Sequence, residues 1–167
     1  MQRKPIKKTQ SLKKTTTLKK TKAIPKTPKA PIPKLKRKAD KVFSLATRLR
    51  DADQHGMAEC ITCNKKLHYK KGHAGHFMSR RKLNTRWEEE NVNFQCAACN
   101  TYGFGEQFKY GLAIDLKYGN GTAKKLQEMS DQPLEEATSV PKMREFLEDI
   151  IDDSEEQIRF YLKHMEE

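Results

Sequence analysis

Four cysteines, paired as Cys60-Ile-Thr-Cys63 and Cys96-Ala-Ala-Cys99 with 32 residues between the pairs, dictate how the middle of this chain folds. A C-x-x-C turn lets two thiolates converge on one tetrahedral ion, and two such turns complete a closed four-cysteine site. Two disulfides or a redox pair are the alternatives, and the spacing favours structural zinc, with no cysteine left over. A closed shell keeps no open position for a substrate, so such a zinc supplies folding free energy rather than chemistry. The chain needs that contribution. Mean hydropathy is −0.92 and 35% of its 167 residues are hydrophobic, which leaves little apolar core around the knuckles.

No apolar run approaches the ~20 residues that a membrane-spanning helix requires. The basic N-terminus is not followed by the apolar stretch of ~7–15 residues that marks a secretory leader. The expected location is therefore a reducing cytoplasm, where cysteines serve metals more readily than disulfides. The net charge is +12, and it is unevenly spread: residues 1–38 hold 15 Lys or Arg, no acid and five of the seven prolines. Such a segment cannot offset its ordering entropy by burial, and disorder is expected. A Lys-rich arm binds phosphates through counterion release without reading sequence, which points to nucleic acid. A solubilising tail or partner-binding linker is the plainer reading. Residues 128–167 are the opposite, with 13 acids against 4 bases.

The pattern predicts an α+β chain in three segments: the tail over 1–38, a zinc-bound domain over 39–130 and an acidic helical segment over 131–167. An amphipathic helix is expected over about 40–54, with Asp40 as N-cap and Gly56 as stop. Short stretches at Glu59–Cys63, Leu67–Lys71, Gly75–Met78 and Asn93–Cys96 predict a small irregular β-region. A helix should begin near Cys96–Asn100 and run toward Tyr118, weakened by Gly103 and Gly105. Gly119-Asn120-Gly121 is a break, and Thr122–Met129 a short helix. One or two helices should fill 141–166, with Ser154 and Gln157 as a capping box between two apolar stripes that offer packing or dimer surfaces.

Between the knuckles lies Lys71-Gly-His-Ala-Gly-His-Phe-Met-Ser-Arg-Arg81, then Thr85-Arg86-Trp87, then Glu90-Asn91-Val92-Asn93-Phe94-Gln95-Cys96, and Asn100 follows the last cysteine. In this order the sequence resembles the His-Asn-His/Asn (HNH, ββα-metal or His-Me finger) nucleases of the endonuclease VII type. It is more closely similar to the lambdoid-phage NinG (Rap) recombination endonucleases, through CITC, AGHFMSRR, TRW, ENVNFQC, AACN and KYGLAIDLKYG, over about residues 40–130.

The resemblance implies a metal-dependent nuclease, with residues 39–130 as its HNH-type domain, that cuts branched DNA such as Holliday junctions and D-loops. It implies His76 as general base, Asn91 as the residue that holds the loop and orients the histidine, and Asn100 as ligand to a catalytic Mg²⁺ or Mn²⁺. It also implies a phage origin, and so a host bacterial cytoplasm and recombination proteins as partners. The chemistry suits these residue types. Histidine titrates near 6.5 and can take a proton from water, and a hard cation with oxygen ligands stabilises the phosphorane and the leaving oxygen. Arg80, Arg81 and Arg86 are candidate phosphate contacts. One position departs from the endonuclease VII pattern: the acid expected just before the histidine is Gly75. His73 and Glu106 are the candidates to complete the metal shell.

Plainer roles exist beside each of these. His76 can be a hydrogen-bonded neighbour of a zinc knuckle, Asn91 a turn cap and Asn100 a helix N-cap, while Trp87 fits a core better than a stacking platform. A two-fold substrate calls for paired nicks, hence a homodimer. The rival class is a non-catalytic, zinc-stapled nucleic-acid-binding accessory factor, which has no use for His76 or Asn100.

Overall fold

The computed structural model describes residues 30–165; the expected disorder of the tail lies, for residues 1–29, outside them. The first element, α1 (Ile32–Arg50), begins eight residues before the expected start, so residues 32–38, assigned to the tail from sequence, are its first turns. Pro31 caps it and Pro33 sits in the first turn, where a missing N–H is tolerated. The cause of the early start is tertiary: Leu35, Ala39 and Phe43 pack against Met143, Leu147 and Ile151 of α4 (Val140–Met165). Fully burying each large side chain in that seam contributes about 1.5–3 kcal/mol, which outweighs weak local propensity. Asp40 is consequently mid-helix and not an N-cap.

α4 is one continuous helix of 26 residues. The expected break at Ser154 and Gln157 is absent, because Ser154 continues the buried stripe of Met143, Leu147 and Ile151. Of the two apolar stripes expected in 141–166, the first, through Met143, Leu147 and Ile151, is consumed by packing against α1, while Leu162 of the second is exposed.

Two antiparallel ribbons follow α1. β1 (Met57–Glu59) pairs with β2 (Lys66–His68), and the turn between them carries the first cysteine pair. β3 (His73–His76) pairs with β4 (Val92–Gln95) across the loop 77–91, with Gly75 opposite Asn93 and His76 opposite Val92. Ala74 and Val92 join the α1–α4 core, together with Trp87. On the other side of this ribbon lie α2 (Gln107–Tyr118) and α3 (Thr122–Ser130), whose Tyr110, Ile114 and Leu126 pack against Phe77 and Met78. The Tyr110 hydroxyl bridges the two strands: it accepts from the Asn93 N–H at 3.0 Å and donates to the Gly75 carbonyl at 2.8 Å.

The helix expected from Cys96–Asn100 does not run unbroken. Ala98–Tyr102 is a single wide turn, and Phe104, Gly105 and Glu106 all take left-handed backbone with φ of 51°, 87° and 51°, so α2 starts only at Gln107. Gly119 and Gly121 at φ of 114° and 91° make the expected break before α3. Among the described residues no helix is long and apolar enough to cross a membrane.

Candidate metal centre and histidine cleft

The four cysteine sulfurs lie within 4.8 Å of one another, with the Cys63 and Cys96 Sγ atoms 3.8 Å apart. A tetrahedron of thiolates at ~2.3 Å from zinc has sulfur–sulfur edges of about 3.8 Å, and none of the four is in a disulfide. Local geometry aims them. Asn64 adopts φ 58°, a region asparagine tolerates, and its N–H returns to the Cys60 carbonyl at 2.8 Å. The Cys99 N–H points at Cys96 Sγ at 3.5 Å, and the Ile61 N–H bonds the Phe94 carbonyl at 3.0 Å, which ties the first knuckle to β4. Burial and the crowding of sulfurs push the Cys99 thiol up to about 12. Burial acts the same way on Cys60, but the Thr62 hydroxyl and backbone N–H groups bring it down to about 6. Four thiolates this close repel one another, and a divalent cation reverses that penalty. Cys60, Cys63, Cys96 and Cys99 therefore form a candidate structural metal site of the kind zinc fills. Among the described residues, it is the one group of three or more His, Cys, Asp or Glu side chains so gathered.

Beside this centre, α1, β3 and the loop 77–91 enclose a cleft of ≈ 430 Å³. It gathers His73, His76, Arg80, Arg86 and Asn100 from the sequence-derived set. His76 ends β3 on the face toward α1, with Nε2 3.1 Å from the Arg86 carbonyl. A carbonyl only accepts, so a neutral ring carries its proton on Nε2 and Nδ1 is the basic nitrogen. Burial, helped by the charge of Arg80, takes His76 down to about 4, against the opposing pull of the Arg86 and Ala74 carbonyls. The ring is therefore uncharged at neutral pH. Asn100 Nδ2 lies 2.9 Å from His73 Nδ1, so the amide donates to that ring.

Asn91 stands behind the cleft, fully buried. Its Oδ1 accepts from the Met78 N–H at 2.6 Å, and its Nδ2 donates to the carbonyls of Met78 and Thr85 at 3.1 and 2.7 Å. It thus clamps the loop that supplies Arg80 and Arg86. The three arginines occupy different environments. Arg86 is bidentate on Asp40 at 2.9 and 2.7 Å and lies over Trp87, so it fastens the loop to α1. Arg80 is exposed, 3.6 Å from Asp40, with donors to spare. Arg81 is exposed but outside the cleft lining. Glu106 is not in the cleft either: it pairs with Lys109 at 3.0 Å.

The structure also explains Gly75. A Cβ there would lie 2.1 Å from Gln95 Oε1 and 2.9 Å from its Cδ. Gln95 is fully buried, held by the Gly105 carbonyl at 2.9 Å, and its Oε1 is the one buried side-chain polar atom without a partner among the described residues. An acidic side chain does not fit in this packing. Two cleft residues escaped the sequence reading: Asp40, which also accepts from Trp87 Nε1 at 3.1 Å, and Arg48, which donates to the Tyr69 carbonyl at 3.1 Å. The available signal was a charged residue bordering an apolar helical stripe.

No curated protein and no solved structure matches the chain. One family model, described as Bacteriophage Lambda NinG protein, matches residues 1–159, and the chain belongs to that family.

Proposed function

We propose that this chain is a metal-dependent, structure-specific DNA endonuclease that cuts branched recombination intermediates, with His76 as the base that activates water. Membership of the NinG family implies a phage recombination-related role. The observation that carries the finer reading is the placement of His76: its Nε2 faces a backbone carbonyl, its ring is uncharged, and the exposed guanidinium of Arg80 shares its cleft. The chain order of a strand ending in that histidine, a loop, a return strand and a turn bearing Asn100 supports an HNH-type ββα arrangement.

In this mechanism Asn91 holds the loop, Arg80 neutralises the scissile phosphate, and His76 Nδ1 takes the proton from the attacking water. The negative charge of a bound phosphodiester raises the histidine from its low resting value and strengthens it as a base. Asn100 and His73 would hold Mg²⁺ or Mn²⁺, which would stabilise the leaving oxygen. Recombination proteins are expected partners, and two chains making opposed nicks are part of the proposal. With α1 and α4 packed on each other, the outward Phe108, Leu112 and Leu116 of α2 provide the apolar face for pairing.

A specific observation favours the second reading, a non-catalytic zinc-stapled DNA-binding factor: Gln95 closes the position where an acidic metal ligand belongs. Cleavage of a labelled four-way junction in Mg²⁺ and Mn²⁺, with junction binding measured in parallel, separates the two. The nuclease reading expects cutting by wild type and binding without cutting by His76→Ala. Binding without cutting by wild type establishes the accessory reading.

A further inference from the structure

The outer face of α1 carries Lys34, Arg37, Lys41, Ser44 and Arg48 at spacings of three and four residues, which places them in one row along the helix. Arg37, Lys41 and Arg48 with Arg80 line a second shallow cavity of ≈ 410 Å³. It shares Asp40, Ser44, Arg48 and Arg80 with the His76 cleft, so row and cleft form one continuous surface. From Lys34 to Arg48 the row spans ~21 Å at 1.5 Å per residue. That length is enough to lie along several phosphates of one strand.

A solvated helix face is also rich in lysine, and bases unpaired among the described residues, such as Lys142 and Lys163, occur elsewhere. This row differs in running into the His76 cleft through Asp40, Ser44, Arg48 and Arg80. Lys38, on the flank toward α4, is paired with Glu155 at 2.8 Å, and elsewhere Lys82, Lys117 and Lys125 are paired with Asp131, Asp51 and Glu90. Lys34, Arg37, Lys41 and Arg48 have no carboxylate partner among the described residues. The single acid beside them, Asp40, is already committed to Arg86 and Trp87. Arg48 is fixed in place: Nε donates to the Ser44 carbonyl and Nη1 to the Tyr69 carbonyl, both at 3.1 Å, leaving Nη2 for an anion.

We propose that α1 is the backbone-tracking helix of this protein, and that the Lys34–Arg37–Lys41–Arg48 row binds successive phosphates of a nucleic-acid strand and leads it into the His76 cleft. This rests on the nucleic-acid-binding part of the proposed function and not on cleavage. Arg37 and Lys41 are exposed and unpaired, so replacing them should leave the fold intact.

The test is fluorescence anisotropy of a labelled four-way DNA junction across a salt series, with the full-length chain and no added divalent ion or chelator. Each lost phosphate contact lowers the slope of log K against log salt by about 0.9. Arg37→Gln with Lys41→Gln should therefore reduce the slope by about 1.8. The control, Lys142→Gln with Lys163→Gln on α4, removes the same charge and should leave the slope unchanged. An unchanged slope in the α1 pair, or an equal fall in both pairs, overturns the proposal; matching thermal melts establish that all variants are folded. No cutting occurs under these conditions, so a chain that binds through α1 yet never cuts in Mg²⁺ or Mn²⁺ would sink the nuclease reading and leave this one standing.

Discussion

Adding a single carbon at Gly75 tests how the hairpin beneath His76 is packed. An alanine Cβ would lie 2.1 Å from Gln95 Oε1, 2.9 Å from Cδ and 3.0 Å from Cβ. Real contacts require more than 3 Å, so Gln95, which is fully buried with its Nε2 donating to the Gly105 carbonyl at 2.9 Å, must shift to admit the new carbon. Overpacking of this kind costs typically ~1–3 kcal/mol. Gln95→Ala alone should cost on the order of 1 kcal/mol for its lost hydrogen bond, while removing the two closest clashing atoms. The pair should therefore be strongly non-additive: Gly75→Ala costs roughly 1–2 kcal/mol less in the Gln95→Ala background, within the range of directly contacting residues. Urea denaturation of the four proteins measures the cycle. Additive costs within a few tenths of a kcal/mol would refute the close-approach explanation. The same packing predicts that Gly75→Asp, which places an acid before His76 as in the endonuclease VII pattern, destabilises the chain instead of improving metal binding.

Three further outcomes follow from the same geometry. Asn91→Ala leaves the buried Met78 N–H and Thr85 carbonyl unmet, so urea denaturation should show a loss on the order of 3 kcal/mol. Elemental analysis should find one zinc per chain, and a zinc-selective chelator should sharply lower the melting temperature, whereas melting that ignores the chelator contradicts a structural metal. His76 contributes a pH-dependent component of definite sign. Its folded pKa of about 4 lies below the ordinary 6.5, so the folded state binds fewer protons. Stability should be complete above about pH 6.5 and fall as pH drops toward 4, by at most ~1.4 kcal/mol per unit. Urea midpoints of wild type and His76→Gln across that window should converge as pH falls, and parallel curves would contradict it.

The cysteine frame was legible because metal ligation imposes a local spacing, and the 119–121 break because two glycines supply positive φ where the chain turns. What escaped was set by distant partners. Residues 32–38 read as tail from charge and proline alone, although Pro at a helix start was a usable signal; their helicity depends on α4, more than a hundred residues away. Ser154 carries the local signature of a cap, yet its place in the apolar stripe of α4 keeps that helix whole. Asp40 looked like a helix start, while its carboxylate receives Arg86 and Trp87 from the loop. Phe104 and Glu106 in left-handed backbone end the expected helix, and no residue-type preference announces that. In the candidate site, the sequence order identified His73, His76 and Asn100, which the fold brings into one cleft, but not Arg48 or the closure of Gly75 by Gln95.

The claim that His76 Nδ1 takes the proton from water is tested most directly by chemical rescue. His76→Gly, folded and junction-bound, should not cut in Mg²⁺, and added imidazole should restore cleavage of the four-way junction in proportion to its unprotonated fraction. Cutting by His76→Gly without imidazole, or failure of imidazole to restore it in a variant that still binds the junction, would contradict that assignment.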